Sequence, residues 1–467
     1  MLKIANHYIS KVALGLLLTE LLILVMAFYA GAAIRLPTEE VLPPEVATHF
    51  LASALAFALA IVFSMGAFGL YQLDAPYNFR NRLFLQLMPS FAMAFGLLTL
   101  LFYLAPGLYV GRGVLLLVLL ISLCGVLAVR MLYLAGVQRS VASRLLFLGH
   151  GALARECGDL ALNGRSYTKY QVAGYIATPA EACSVPSGAV LDLEQGGGSL
   201  LALARRHKAR EIVVTVRDRR GGAVPIKDLL ECKLHGVAVT DAATFFERET
   251  CQIRVDSLQP SWLVFGGGFD QSPVRGLMKR VFDLVVSTVI LVLALPVIVL
   301  TAIAIRLEDG GPVLYRQERV GKNGRTFEIL KFRSMGINAE QAGAPQWAQQ
   351  RDPRVTRVGA FIRKVRIDEL PQLANVFKGE MSFVGPRPER PYFVEQLNAQ
   401  LRYYQVRHSI KPGITGWAQV RYGYGASVED AIQKLQYDLY YVKNNSLFLD
   451  ILVLIDTLKV VLFGSGR

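Results

Sequence analysis

The sequence predicts a membrane protein in three parts. These are a bundle of four transmembrane helices (residues 1–138), a cytosolic α/β domain on a parallel sheet (139–268) and a basic, mostly helical region (269–467) tied to the membrane by a re-entrant helix. Three observations predict it. Four apolar runs of spanning length fill the first third, strand and helix patterns alternate through the middle, and the last third opens with one more apolar run interrupted by a proline. Composition agrees: of 467 residues 53% are hydrophobic and only 18% charged, where a soluble domain carries about 25% charged residues. Fifty Lys and Arg against 36 Asp and Glu leave a net charge of +14. An ordinary cytosolic globule and a disordered chain are excluded. The five cysteines are widely spaced with no C-x-x-C, and the six histidines form no H-E-x-x-H, so neither a disulfide scaffold nor a zinc site is expected.

The runs at 9–34, 47–70, 83–104 and 110–135 each hold enough apolar residues to cross a hydrocarbon layer about 30 Å thick. The first is too long for a signal peptide, and no A-x-A site precedes a soluble domain, so we expect it to be retained as a span. Lys3 and Lys11 precede it, Arg80 and Arg82 lie between the second and third runs, and Arg130, Arg139 and Arg144 end the fourth. The loop after the first run instead carries Glu39, Glu40 and Glu45 with Pro37, Pro43 and Pro44. Positive charge is retained on the cytoplasmic side, so the N-terminus and everything after Arg139 are expected there.

Strands are expected at 144–148, 170–176, 211–216 and 237–240, with helices between them, for example 200–208. The domain ends near Gly266-Gly267-Gly268. After its first strand comes Gly149-His150-Gly151-Ala152-Leu153-Ala154, a G-x-G-x-x-A turn that lets backbone N–H groups approach a phosphate at a helix N-terminus. The second strand is followed by Ala177-Thr178-Pro179, with no acidic residue for a ribose hydroxyl. A Rossmann-like fold used for regulation or assembly is therefore expected, rather than one that needs NAD.

The run at 281–305 is flanked by Lys279, Arg280 and Arg306 and interrupted by Pro296. A straight span would carry the basic last third outside the cell. The part before Pro296 is only about 22 Å of helix, shorter than the membrane is thick, and proline removes an intrahelical hydrogen bond. A helix that enters the inner leaflet, breaks at Pro296 and returns satisfies length, charge and kink together.

Beyond it, 313–319 and 326–332 read as strands joined through Lys322-Asn323-Gly324. Lys331 and Arg333 would project cations from one edge. A helix at 355–366 carries Arg357, Arg363, Lys364 and Arg366 and leads to Asp368-Glu369-Leu370-Pro371-Gln372. Pro371 suits a first helical turn, which puts Asp368 and Glu369 at a helix N-terminus. Such a pair commonly just caps a helix, but the cations around it suggest more. In Gly385-Pro386-Arg387-Pro388 two prolines hold Arg387 extended, ready for bidentate contact with phosphate. A basic pocket around a carboxylate pair suits attack on a diphosphate, with the carboxylate as nucleophile.

On these residues the region 273–467 resembles the bacterial sugar transferase family, the polyprenyl-phosphate hexose-1-phosphate transferases. The resemblance runs through Lys279-Arg280-Val281-Phe282-Asp283, Lys331-Phe332-Arg333-Ser334-Met335, Asp368-Glu369-Leu370-Pro371-Gln372, Gly385-Pro386-Arg387-Pro388, Lys411-Pro412-Gly413-Ile414-Thr415-Gly416-Trp417 and Asp438-Leu439-Tyr440-Tyr441. The whole chain looks like the large members with four spans and a Rossmann-like domain, especially the exopolysaccharide transferases associated with PEP-CTERM systems. The resemblance implies a mostly α monotopic catalytic domain whose re-entrant helix breaks at Pro296. It also implies transfer of a sugar 1-phosphate from a UDP-sugar to undecaprenyl phosphate, with Mg²⁺ and release of UMP, at the start of exopolysaccharide, capsule or O-antigen synthesis. Asp368 would be the nucleophile and would contact Mg²⁺, and Glu369 would help to activate the acceptor phosphate. Arg387, between Pro386 and Pro388, would contact the nucleotide, while Lys331, Arg333 and Arg363 line the anionic pocket. The family's usual arginine before Pro-Gly-Ile-Thr-Gly is Lys411 here, which keeps the charge and loses the fork. The sugar stays open among glucose, galactose and N-acetylated hexosamines, and a homodimer is expected.

Three other readings compete with this one. A nucleotide-sugar dehydratase or epimerase needs Tyr-x-x-x-Lys, and none of the 19 tyrosines has a lysine four residues on. An inactive scaffold of the same fold is the alternative that the intact Asp368-Glu369 and Pro386-Arg387-Pro388 argue against. A nucleic-acid partner is not expected, because aromatics are not interleaved with the basic residues. The C-terminal stretch 450–463, apolar with Asp456 and Lys459, suits an interfacial helix or packing on the last domain equally.

Overall fold

The computed structural model describes residues 2–35, 44–71, 79–133, 143–163, 170–178, 182–193, 198–216, 224–255, 267–269, 272–337, 354–423, 425 and 427–463. Expectations at Pro37, Glu39, Glu40, Pro43, Arg139, Pro179 and Gly266 lie outside these residues, as do those on the side chains of Pro44, Glu45, Arg80 and Arg82. The chain packs into two compact units, Met1–Leu2 with Ile9–Thr250 and Lys3–Tyr8 with Cys251–Arg467.

In the first unit the four apolar runs are helices α1 (Lys11–Arg35), α2 (Pro44–Ala67), α3 (Phe79–Leu104) and α4 (Arg112–Leu132). All are long and apolar enough to cross a membrane. They pack through Leu24, Phe28, Phe57, Ile61, Leu87, Leu98 and Val118, while Leu18, Leu22, Leu85 and Leu116 remain exposed. Helices apolar on both faces suit a lipid surrounding. Arg130, expected in the cytoplasmic collar, is instead fully buried: its Nε lies 2.7 Å from Glu20 Oε1 and its Nη1 donates to the Leu70 carbonyl at 2.9 Å.

The same unit holds a parallel sheet of β3 (Ser143–Leu148), β4 (Tyr170–Ile176), β5 (Val190–Leu191), β6 (Glu211–Val214) and β7 (Ala238–Asp241) in the order β5-β4-β3-β6-β7. The two-residue β5 has too little pattern to be read from sequence. Leu146 and Leu148 face one core with Leu200, Ile212 and Leu229, while Leu145 and Phe147 face another with Leu153, Val213 and Phe245. Alternate side chains point to opposite faces, so a sheet covered on both sides reads as an unbroken apolar run. The Gly149-His150-Gly151 turn follows β3 and opens helix α5 (Ala152–Asn163). Helices α6 (Leu200–Arg206), α7 (Ile226–Leu234) and α8 (Ala242–Thr250) complete the alternation.

The second unit begins with α9 (Pro273–Asp309), capped by Ser272, whose side chain accepts from Arg275 N, and ended by Gly310 at φ +68°. Helical backbone continues through Pro296, so the expected break is not an interruption of the helix. Proline deletes one N–H and crowds one carbonyl, which a helix absorbs as a bend. The polar Asp283, Ser287 and Thr301 are buried, while Val285, Val289, Val292, Leu293, Leu300 and Ile303 are exposed.

Strands β8 (Leu314–Val320) and β9 (Thr326–Phe332) form an antiparallel hairpin. Helix α10 (Arg357–Lys364) is capped twice, by Thr356 Oγ1 accepting from Gly359 N and by Glu308 at the end of α9 accepting from Arg357 N. A 3₁₀ turn at Ile367–Gln372 runs into α11 (Leu373–Lys378). Then come β10 (Ser382–Val384), α12 (Pro391–Gln400), β11 (Gly413–Thr415), α13 (Trp417–Arg421), α14 (Val428–Asn444) and α15 (Leu447–Phe463). Helix α14 is buried on every side from Leu435 to Asn444 and forms the core of the unit. The C-terminal stretch packs rather than floats: Leu449 and Val453 of α15 are fully buried, Asp450 accepts from Tyr441 Oη at 2.5 Å and Asp456 meets Arg421 at 3.3 Å.

Residues from the middle and from the start of the chain also join this core. Ile253 lies within it, and Trp417 Nε1 donates to the Cys251 carbonyl at 3.0 Å. A short N-terminal hairpin, β1 (Leu2–Ile4) and β2 (His7–Ile9), brings His7 to 2.8 Å from Tyr440 Oη and edge-on to Trp417.

Candidate active site

The 3₁₀ turn at Ile367–Gln372 presents Asp368 and Glu369 in its first turn, entered through Arg366 at φ +57°. A left-handed backbone is uncommon for arginine, and it turns the chain between α10 and the acidic pair. Glu369 is buried and ringed by cations: Arg387 Nη1 at 3.1 Å, Lys331 Nζ at 3.5 Å and Arg366 Nη1 at 3.9 Å. Burial alone would push its carboxyl up, but Arg387, Lys331 and Arg366 together overcome burial and bring it down to about 2. Asp368 is half-buried and makes no hydrogen bond or ion pair with the described residues. Burial, then the charge of Glu369, raise its carboxyl above the usual aspartate range, against the pull of Lys331, Arg387 and Arg363. The two neighbouring acids are therefore pushed apart, one pinned as an anion and the other more basic and more open.

Lys331 comes from β9, where burial lowers its pKa against the opposing pull of Glu369. Arg387 stands in a strip whose prolines supply no N–H, and every carbonyl from Pro386 to Glu389 has a donor: Gly413 N at 3.0 Å, Arg407 Nη2 at 2.8 Å, Arg319 Nη1 at 3.2 Å and Val320 N at 2.9 Å. Arg407 is held in turn by Asp438 at 2.8 Å and by the Tyr404 hydroxyl at 2.9 Å. β10 pairs in parallel with β11 (Ser382 with Gly413, Val384 with Thr415), and past the pairing Gly385 and the Pro386 carbonyl lie against Lys411-Pro412-Gly413.

Of the expected residues, Asp368, Glu369, Lys331 and Arg387 meet, and Arg363 acts on Asp368 through its charge. Arg333 does not join them. It is buried against Asp309 at the end of α9, with its guanidinium over Gly311, where any side chain would collide with it. The pair with Asp309 makes Arg333 a tie between the end of α9 and the end of β9. Arg366, expected only as one of the cations on the preceding helix, contacts Glu369, and two further contributors, Arg319 and Arg407, were missed. Arg366 was legible from its position three residues before Glu369. Arg319 and Arg407 were not, because what they hold is backbone far along the chain. The first motif, Lys279 to Asp283, fastens α9: Lys279 bridges Asp283 and Asp450 at 3.0 Å each, and Asp283 accepts from Ser382 Oγ and Phe383 N. A single open carboxylate beside cations has the donor chemistry of a Mg²⁺ site, in which one or two carboxylates combine with phosphate oxygens and water.

A family model described as bacterial sugar transferase matches residues 274–464. The chain is 45% identical over 238 residues to the UDP-N-acetylgalactosamine-undecaprenyl-phosphate N-acetylgalactosaminephosphotransferase of Aeromonas hydrophila, covering 51% of this chain and 55% of that one. It is 43% identical over 182 residues to the UDP-glucose:undecaprenyl-phosphate glucose-1-phosphate transferase of Escherichia coli K12, covering 38% and 39%. To the putative undecaprenyl-phosphate N-acetylgalactosaminyl 1-phosphate transferase of Bacillus subtilis it is 56% identical over 124 residues, covering 27% of this chain and 69% of that relative. The match thus spans about half, or less, of the longer relatives. The chain belongs to the bacterial sugar transferase family.

Proposed function

We propose that this protein is a polyprenyl-phosphate hexose-1-phosphate transferase that moves a sugar 1-phosphate from a UDP-sugar to undecaprenyl phosphate and releases UMP. The observation that carries the reading is the division of labour in the acidic pair: an open Asp368 of raised basicity beside a Glu369 pinned by three cations. An Asp368 oxygen attacks the sugar-bearing phosphorus, the bond to the UMP oxygen breaks and UMP leaves with that electron pair. A phosphate oxygen of the lipid acceptor then attacks the same phosphorus, forms the lipid diphosphate and returns the carboxylate of Asp368. A raised pKa makes the carboxylate a better nucleophile, and the cations around it offset its repulsion from phosphate. Arg387, with a side chain 42% exposed, has the fork to grip the diphosphate. A carboxylate held near 2 is a poor base, so we assign Glu369 to holding Lys331, Arg366 and Arg387 in place rather than to taking a proton. Mg²⁺ held by Asp368 would supply further neutralisation of the diphosphate.

The four helices of the first unit are proposed as spans and its sheet as a Rossmann-like cytosolic domain, in a bacterial inner membrane. Re-entry of α9 is supported by the packing around it. Arg280 near its start reaches α11, and Ile305 near its end packs with Phe332 and Ile362. Residues before it join residues far after it, as in Phe269 N donating to the Lys443 carbonyl at 2.9 Å. Contacts from both ends of the helix to the same unit are what a re-entrant helix requires.

Asp368→Asn should abolish UMP release from UDP-sugars in the presence of undecaprenyl phosphate, with membrane insertion unchanged. Normal turnover by that variant would overturn the covalent route. Leu307→Cys, at an exposed position, should react with a membrane-impermeant thiol reagent only from the cytoplasmic side, and labelling from the periplasm would disprove re-entry.

A further inference from the structure

A second group of cations in the catalytic unit takes no part in the site around Asp368. Helix α11 ends at Gly379, φ +87°. A side chain there would begin 3.5 Å from Lys411 Nζ and 3.8 Å from the guanidinium carbon of Arg280, so the glycine leaves a cleft walled by two positive charges. Arg280 is aimed by its own hydrogen bonds, Nη1 donating to the Val376 carbonyl at 2.5 Å and Nη2 to that of Phe377 at 2.7 Å. Those acceptors are the last carbonyls of α11, and they carry only partial charge. Lys411 is half-buried and has no hydrogen bond or ion pair with the described residues.

The charges that face Lys411 are mostly of its own sign. Burial lowers its pKa first, and Arg280, Lys322 and Lys279 lower it further, with Asp283 in opposition. Lys279 and Asp283 are already spent on each other, on Asp450 and on the β10 backbone. Among the described residues, Arg280, Lys322 and Lys411 have no carboxylate partner. Like charges gathered at partial burial repel by an amount that an anion seated between them would reverse.

The place of the cleft on α9 narrows the choice of anion. Arg280 is the last cation before the stretch that exposes Val281, Val285 and Val289, in which the one acid, Asp283, is buried and paired with Lys279, so it stands where a lipid-embedded helix meets the headgroups. The guanidinium N–H groups that Arg280 does not use on α11, with an ammonium opposite, suit the oxygens of a phosphate. We propose that the cleft formed by Gly379, Arg280 and Lys411, with Lys322 nearby, binds the phosphate of a membrane lipid. The proposal rests on the embedding of α9 proposed above. Two lipids carry that chemistry, an anionic phospholipid and a polyprenyl phosphate.

The full chain, reconstituted in phosphatidylcholine vesicles doped with phosphatidylglycerol or with undecaprenyl phosphate, would be floated, extracted in detergent and assayed by mass spectrometry for retained lipid. The wild-type chain should carry the doped lipid, and Lys411→Gln should retain about five-fold less, as expected for one cation near a membrane surface. Lys411→Arg should retain as much as wild type. Lys322→Gln, at an exposed position, should lower retention in the same direction and decides the matter if Lys411→Gln fails to fold. Loss confined to phosphatidylglycerol identifies bulk lipid as the source, and loss confined to undecaprenyl phosphate identifies the acceptor. Equal retention by wild type, Lys411→Gln and Lys322→Gln, all floating with the vesicles, overturns the cleft. Failure of the wild-type chain to float overturns the embedding instead.

Discussion

Glu20 in the helical bundle and Glu369 in the catalytic unit are both buried acids beside arginine, yet their surroundings are opposite in charge balance. Glu20 meets Arg130 one to one, both side chains fully buried. Glu369 meets Lys331, Arg366 and Arg387, one to three, and Arg387 remains 42% exposed. The first arrangement leaves no charge over and fastens α1 to α4 across 110 residues of sequence. The second keeps a positive surplus beside the half-buried Asp368, which suits the diphosphate of the proposed donor. A buried ion pair therefore says little by itself, and its stoichiometry and exposure separate a fastening from a site.

The largest expected effect lies in the bundle. Glu20→Ala should lower the stability of the detergent-solubilised chain by about 3–5 kcal/mol, because it strands Arg130 in an apolar interior. The double variant Glu20→Leu with Arg130→Met should recover most of that, as read from thermal unfolding. A double variant as unstable as the single one would mean that the pair does more than balance itself.

The next effect is on activity. Glu369→Gln should cut UMP release roughly 100-fold by loosening the cations. It should also move the acid limb of the pH–rate profile to lower pH, since the negative neighbour that helps to raise Asp368 is gone. Stability responds with its own sign. Glu369 binds its proton less tightly folded, near 2, than at its usual 4.5, so the stability it contributes is complete above pH 4.5 and lost as pH falls toward 2. Glu369→Gln should flatten that loss. An acid limb that stays in place would remove the coupling between the two acids.

The smallest effect tests whether the N-terminal hairpin belongs to the catalytic unit. Burial, then Arg421, lower the pKa of His7 from 6.5 to about 4. The unfolded chain takes up a proton below pH 6.5 that folded His7 refuses, so stability falls from pH 6.5 toward 4. His7→Ala should cost about 1–2 kcal/mol at neutral pH and weaken that slope. His408, also held near 4, keeps the remainder. An unchanged slope in thermal melts would detach the hairpin from the unit.

Much of this was legible beforehand. Strand β9 and strand β4 fall on the residues expected, and Asp368, Glu369, Lys331 and Arg387 converge as the motifs implied. Arg130 read as a surface collar because its partner lies in another helix. Arg333 read as pocket lining because Asp309 has no motif of its own. The choice between an interfacial and a packed C-terminus was open because Leu449 and Val453 suit either, until Tyr441 and Lys279 claimed Asp450.

By itself the sequence determined the apolar lengths, the alternation of strands and helices, the turns and the inventory of charged motifs. All of these are local, set by hydrophobic period, proline and glycine geometry and the thickness of a bilayer. The tertiary structure alone decided which arginine faces which acid. It set Lys411-Pro412-Gly413 beside Gly385 and Pro386, and it let Asp438 hold Arg387 through Arg407. Such partners are tens to hundreds of residues apart, and only the cooperative packing of the whole unit offsets the entropy of bringing them together.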